Sequence, residues 1–501
     1  MRILFIRPNS GIIVFHAPMP PLSSLTLASF IQAKGHAVQI FDHQMERNLT
    51  KTVMAFRPDV AAVSLLAESM VPDALRLSRT LKALHVPVLW GGHMASAIPE
   101  IVARSGCVDY VGISEGEYTL LELLEVIEGK RAPETVTGIA YMNERGEYHR
   151  TSDRPFANLA NFPPLDYSLI PIKKFYTPLP FAKHLFIMMA SKGCIYKCSF
   201  CFNSEYHRCQ WRSYPHDIVF AQMKYLTEHC RVDGFLFIDE MFGADKQNLR
   251  GFCRRMVGLG GHLTWSMETT IGMLTREDMQ LMHNAGCRML TFGLESGSVE
   301  MRKKLRKYYD ASKIDETFRD CNEIGILTKA NFIIGLPDET PQQLRETVRL
   351  YFRTHPHAAA LGFFTAYPAT PLYRSLLAQN RLTPKTLEEM GGPVAERQKL
   401  TQNFSCIPRK DLIVVASFVH WHTIFGKKRK VHGTKTNSIA NVGLNNLLGF
   451  VRAYPSPTTL LQAGWEAIKF VCTTAWYAHA YPSIRKKYDL TAKNFGRTDW
   501  S

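Results

Sequence analysis

The chain has 501 residues, 46% hydrophobic and 21% charged, with a net charge of +16 at neutral pH. That is a globular composition, long enough for two to four domains at about 100–200 residues each. No apolar run approaches the roughly 20 residues of a membrane-spanning helix, and the start, MRILFIRPNS, does not read as a secretory leader, so a cytoplasmic protein is expected. Eleven cysteines, three within eight positions and the rest scattered, do not make a secreted disulfide framework. The charge is uneven: residues 1–150 hold 14 basic and 15 acidic side chains, residues 401–501 hold 14 and 4. The basic tail includes Lys427, Lys428, Arg429 and Lys430. A solvated loop explains this run; contact with an anionic membrane surface or nucleic acid is the sharper reading, and no motif supports either.

Taken in order, ILFIRP reads as a strand, LTLASFIQAKG as a helix stopping at Gly35, and HAVQIFD and DVAAVSLL as strands. ALRLSRTLKAL is a helix, VPVLWGG a fourth strand, YVGISEGE a fifth with its loop, and TLLELLEVIEG a helix. Strand–helix alternation predicts an α/β doubly wound parallel sheet over residues 1–140. Ligands of such sheets lie beyond the carboxyl ends of the strands, where Pro8, Asn9, Ser64, Leu66, Gly91, Gly92 and Glu115 fall. Residues 141–180, with FANLANFPPLDYSLIP, read as a linker packed on the surface. Over 181–400 the alternation restarts. LFIMMAS, GFLFIDE, LTWSMETT, MLTFGLES, TKANFIIGLP and ALGFFTAYP are strands and DMQLMHNAG and PQQLRETVRLYFRTH are helical, which predicts a partial or full (β/α) barrel. Residues 401–501 read as a helical basic region through KDLIVVASFVHWHTIF, NNLLGFVRAYP and TLLQAGWEAIKFVCTTAWYA, with Trp421, Trp465 and Trp476.

The sequence SKGCIYKCSFCFN spaces Cys194, Cys198 and Cys201 by three and two residues. Three thiolates on one short loop can each bind one iron of a [4Fe–4S] cubane and leave the fourth iron open. A structural zinc site would need a second cysteine pair, and the other cysteines are isolated. Polar residues then follow at strand ends; singly, Asp239 or Glu268 could be an ordinary cap or turn residue.

The CxxxCxxC loop, with Phe200 before its last cysteine, resembles the radical S-adenosylmethionine (SAM) superfamily. The resemblance implies that SAM chelates the open iron and is cleaved to a 5′-deoxyadenosyl radical after an external donor supplies one electron. It implies SAM contacts by Phe200, by Asp239 and Glu240 in GFLFIDEMF, by Glu268 in WSMETT, and by Glu295 and Ser296 in FGLESGS. Ile333, Gly335 and Leu336 in NFIIGLPDET would lie beside the adenine.

Residues 1–140 resemble the cobalamin-binding domain often fused ahead of such cores, through PMPPLSSLTLASFIQAKGHAVQIFD, Ser64 to Leu66, GGHMAS and SEGEYTLLELLE. On this resemblance Pro8, Asn9, Ser64, Leu66, Gly91, Gly92 and Glu115 would approach cobalamin, Ser64 bonding its nucleotide base and the glycine pair leaving room for it. An Asp-x-His-x-x-Gly motif is missing: His16 lies in the corresponding loop without the spacing, and His43 and His93 read as ordinary histidines. Methylthiotransferases of the superfamily carry three further cysteines in their first domain; here there is only Cys107. The implied activity is cobalamin-dependent methyl transfer to an unactivated carbon of a small-molecule or lipid-like substrate, one SAM giving the methyl and a second the radical. The rivals are oxidative ring closure of the anaerobic magnesium-protoporphyrin monomethyl ester cyclase type and a non-catalytic cobalamin or redox sensor.

Overall fold

The computed structural model describes residues 1–10, 19–259, 263–390 and 402–425, with parts of 468–490. The first sheet holds β1 (Arg2–Arg7), β2 (Ala37–Asp42), β3 (Val60–Ser64), β4 (Val88–Gly91), β5 (Tyr110–Gly112), β6 (Ile139–Met142) and β7 (Tyr148–Arg150). Its order is β2-β1-β3-β4-β5-β6-β7, parallel through β5. Helices cover both faces, so β1 and β3 are buried on both and read as unbroken apolar runs. The strand order reverses between β1 and β3, and the crevice beyond their carboxyl ends is the topological switch point. Asn9 follows β1 there, and Leu66 follows β3.

Residues 141–180 differ from the expected surface linker. β6 and β7 pair antiparallel and extend the first sheet. Beyond them, Phe162, Tyr167, Ile170, Ile172 and Phe175 are buried in the shared hydrophobic core between the two sheets. The Tyr167 hydroxyl donates to Gln222 at 2.9 Å. The prolines and turns set the path of this segment, but its aromatic side chains decide its location. The helix Leu22–Gln32 also ends before Gly35, which takes the left-handed turn after it (φ +89°). The helix Leu49–Phe56, started by an Asn48 cap that accepts from the Lys51 amide, was not expected.

The second sheet holds β8 (Thr177–Leu179), β9 (Ala182–Met188), β12 (Gly234–Phe237), β13 (Thr264–Thr269), β14 (Cys287–Glu295), β15 (Leu327–Ile334) and β16 (Ala358–Phe363). A short ribbon of β10 (Ser191–Lys192) and β11 (Arg212–Ser213) brackets the cysteine loop. The order β16-β15-β14-β13-β12-β9-β8 is parallel except for β8, and β16 and β8 are its edges, so the barrel is partial. The carboxyl-terminal helix Arg409–Phe425 covers the β16 edge: the Leu361 amide donates to His420 Nε2 at 3.3 Å, and Leu412, Val415 and Val419 are buried. That capping leaves the edge unavailable for pairing. No helix among the described residues is long and apolar enough to cross a membrane. His16, the basic run at 427–430, NNLLGFVRAYP, Trp465 and most of TLLQAGWEAIKFVCTTAWYA lie outside the described residues.

The two glycines after β4 are not equivalent. Gly92 has φ +91° and ψ −176°, and a Cβ there would lie 2.6 Å from the Leu65 carbonyl oxygen. Gly91 would meet only an ordinary contact at 3.9 Å. Gly92→Ala is expected to destabilise the fold by about 1–3 kcal/mol, and Gly91→Ala by clearly less; urea unfolding of the two variants measures the difference.

Candidate functional site

The cysteine loop closes on itself because Gly193 (φ +90°) lets its two legs touch; a Cβ there would lie 2.0 Å from the Gln210 carbonyl oxygen. The Ser199 amide and hydroxyl donate to the carbonyls of Leu305 (2.9 Å) and Lys304 (3.0 Å), and the Leu372 amide donates to the Ser199 carbonyl (2.9 Å). The loop is thereby tied to the segments that follow β14 and β16. Burial pushes Cys198 up to about 11 and Cys201 to about 12, and raises Cys194; Cys194 raises the other two further, while Lys307 pulls Cys194 and Cys198 down. Left alone they stay protonated, so their thiolate form needs a bound cation. The three thiols share one short loop, and each can bind one iron of a cubane cluster.

Asp239 and Glu240, just beyond β12, brace this loop from below. Asp239 accepts from the Ala190 amide (3.0 Å) and the Ser191 hydroxyl (2.5 Å), and burial raises its carboxyl to about 7. Glu240 accepts from the Gly193 amide at 3.0 Å, and His207 Nε2 stands 3.3 Å from its other oxygen. Burial would raise Glu240, but His207 and the Gly193 amide outweigh it and hold the carboxyl near 2. Both expected SAM contacts are thus engaged with the loop that carries the cysteines.

The concave face of the second sheet gathers further groups. Glu268, Thr291 and Lys329 stand level on three adjacent strands. Surrounding protein raises the Glu268 carboxyl against the pull of Lys329. Glu295 sits in the left-handed region (φ +60°) and is buried against Lys307, 3.2 Å away. Asn331 Oδ1 and Ser266 Oγ are buried without a hydrogen-bond partner. Such orphans are uncommon, and a polar ligand in the concavity would satisfy them. Ser296, by contrast, is fully buried and bonded to Thr347 and the Ser298 amide. Phe200, Ile333 and Leu336 belong to one apolar cluster with Phe364 and Leu372, which forms a wall suited to a flat base. Lys307, Lys329 and Asn331 escaped the sequence reading because no motif marks them.

Glu339 also escaped it. It is fully buried, and its carboxylate accepts from the amides of Gly335 (2.7 Å) and Leu336 (3.3 Å), so it shapes the turn after β15.

At the first sheet the expected residues divide. Ser64 is bonded to Ser23 at 2.9 Å, the Asn9 amide donates to Asp73 at 2.7 Å, and Leu66 is 45% exposed. The close approach of Leu65, as above, is by itself enough to require glycine at 92. Glu115 faces the cysteine loop: it pairs with Arg212 and lies 4.0 Å from Lys192, whose ammonium bonds Glu117 at 2.7 Å. Ser114 and Tyr206 exchange hydrogen bonds, each hydroxyl donating to the other's backbone carbonyl (3.1 and 2.7 Å). The Tyr367 hydroxyl donates to the Leu66 carbonyl at 3.3 Å. The strand ends of the first sheet therefore rest on the loop that carries the cysteines.

Burial raises the Glu339 carboxyl to about 7, against an ordinary value of 4.5, despite the two amides. The folded chain then holds a proton that the unfolded chain releases between these values, so this group's contribution to stability falls as pH rises through that window. The loss should total about 3 kcal/mol by pH 8 at 1.36 kcal/mol per unit. Glu339→Gln should flatten this slope in urea unfolding at pH 5 and pH 8; an unchanged difference between the two pH values would count against the assignment.

The Radical SAM superfamily matches residues 188–351, and the B12 binding domain matches residues 10–124. An uncharacterized methyltransferase of Pyrococcus horikoshii is 26% identical over 76% of this chain and 84% of its own length. The anaerobic magnesium-protoporphyrin IX monomethyl ester cyclase of Rubrivivax gelatinosus is 25% identical over 75% of this chain and 70% of its own. Among solved structures, the radical SAM methyltransferase TsrM from Kitasatospora setae, with tryptophan substrate and a SAM analogue bound, superposes with a TM-score of 0.70. It covers 95% of this chain and 99% of its own at 19% identity, which shows a shared fold. Residues 188–351 therefore carry a radical SAM domain, preceded by a B12 binding domain over residues 10–124.

Proposed function

We propose that the chain is a cobalamin-dependent radical SAM methyltransferase acting on an unactivated carbon of a small molecule. The supporting observation is the seam: Ser114–Tyr206, Glu115–Arg212 and Glu117–Lys192 bring the cobalamin-side strand ends onto the cysteine loop. Methyl donor and substrate radical must meet within contact distance, and this docking provides that proximity. Cys194, Cys198 and Cys201 would hold a [4Fe–4S] cluster with one iron open to SAM. Phe200, Ile333, Gly335 and Leu336 would seat the adenine, Glu268 and Glu295 the ribose side, with Lys307 fixing Glu295. Asp239, Glu240 and Ser296 would act mainly by positioning, since their side chains are already engaged. Pro8, Asn9, Ser64, Leu66, Gly91 and Gly92 would border cobalamin at the switch point, and Glu115 would hold the seam. Cluster and cobalamin when bound supply radical generation and methyl carriage; the protein supplies position, a water-poor concavity and fixed charge. An external one-electron donor is required.

The cyclase relative supports a second reading, oxidative ring closure on the same architecture. Anaerobic turnover separates them. Chain reconstituted with about four irons and cobalamin, given SAM, reductant and a substrate library, should release 5′-deoxyadenosine and S-adenosylhomocysteine, with a product heavier by one methylene. 5′-Deoxyadenosine without S-adenosylhomocysteine, and a product that has lost hydrogen, would favour cyclisation. No 5′-deoxyadenosine would leave a sensor. Replacing any one of the three cysteines with Ala should abolish both the cluster absorbance and cleavage of SAM.

A further inference from the structure

Three side chains from separate elements meet at the seam, apart from the cysteine trio. His93 opens the short helix His93–Ala97 after β4, His207 follows the helix Asn203–Tyr206 within the cysteine loop, and Glu240 follows β12. One ligand atom from each lies within 4.8 Å of the other two, the one such group of three among the described residues. The two imidazole centroids are 6.2 Å apart and the rings are inclined by 79°. Two imidazoles on one ion, with metal–nitrogen bonds near 2.0–2.1 Å, stand roughly 5–6.5 Å apart.

The electrostatics favour a cation here. His93 Nε2 is buried with no hydrogen-bond partner, which is costly for a ring nitrogen. His207 is only 3% exposed, and its Nδ1, also without a hydrogen-bond partner, stands 3.8 Å from Glu115. Glu240 is held in place by the Gly193 amide, as ligating carboxylates are by supporting groups.

We propose that His93, His207 and Glu240 bind one borderline divalent cation of the zinc or ferrous class, separate from the iron–sulfur cluster. Two imidazoles and a carboxylate are a ligand set for such ions, with the remaining positions open to water. The ion would staple the loop after β4 to the cysteine loop and to the end of β12. It would therefore lock the seam on which the two units meet.

The test uses the full-length Cys194→Ser/Cys198→Ser/Cys201→Ser variant, titrated anaerobically with Co²⁺. One equivalent should bind with visible d–d bands and no thiolate charge-transfer band. His93→Gln and His207→Gln in that background should each weaken binding by at least about 100-fold, since losing even a supporting group costs 10–100-fold. The triple variant could misfold, so cluster-free wild-type chain is titrated in parallel, where the same site appears as a second, thiolate-free equivalent. Absence of that equivalent from both proteins, or unchanged binding in both histidine variants, would overturn the proposal. The readout needs no turnover, so a negative result leaves the radical-chemistry reading standing.

Discussion

Lys192 is a buried ammonium two residues before Cys194, and its carboxylate partners follow β5 of the first sheet. Burial opposes its charge, but Glu117 and Glu115 outweigh that and keep it protonated. An ammonium taken out of water and left unpaired would cost several kcal/mol. The cysteine ribbon therefore reaches its observed state only when the loop after β5 is docked against it. Arg212, directly opposite Lys192 on the other strand of the ribbon, pairs with Glu115. Cofactor loop and amino-terminal unit are one electrostatic assembly, and disturbing either exposes unpaired charge in the other.

That assembly explains how a loop with little regular structure can present three thiols. The segment between β10 and β11 has one short helix, yet backbone bonds to residues 304, 305 and 372, the carboxylates of Asp239 and Glu240, and the close approach at Gly193 over-determine its path. Preorganisation of this kind lets binding energy act on the ligand rather than on ordering the site. It also accounts for the two acidic residues after β12 being spent on the loop.

The concave face is the complement. It holds Glu295 beside Lys307 and, two strands apart, Glu268 level with Lys329, while Asn331 and Ser266 keep buried polar atoms without partners. A face that is electrically balanced but short of hydrogen bonds is suited to a polar, zwitterionic ligand. The apolar wall of Phe200, Ile333 and Leu336 closes one side of it.

Much of this was legible along the chain because strands, turns and thiol spacing are local. The unbroken apolar runs of β1, β3 and β4 imply helices on both faces, and the cysteine spacing stands in one loop of the sequence. Strand order then placed Asn9 and Leu66 at the switch point. Other features were not legible, because their energy depends on groups far apart in sequence. Lys192 meets Glu117 across 75 positions, and Arg212 meets Glu115 across 97. No local pattern distinguishes those carboxylates from solvated ones, so nothing along the chain indicates that Glu115 pairs with Arg212. Residues 141–180 read as a surface linker because prolines and turns speak for local path alone; burial of Phe162, Tyr167 and Phe175 required a second sheet to pack against. Composition, periodicity and spacing determined which elements form and which cofactor chemistry the loop can hold. Only the tertiary structure decided which buried charges pair, because pairing is settled by the cost of leaving a charge alone in a low-dielectric interior.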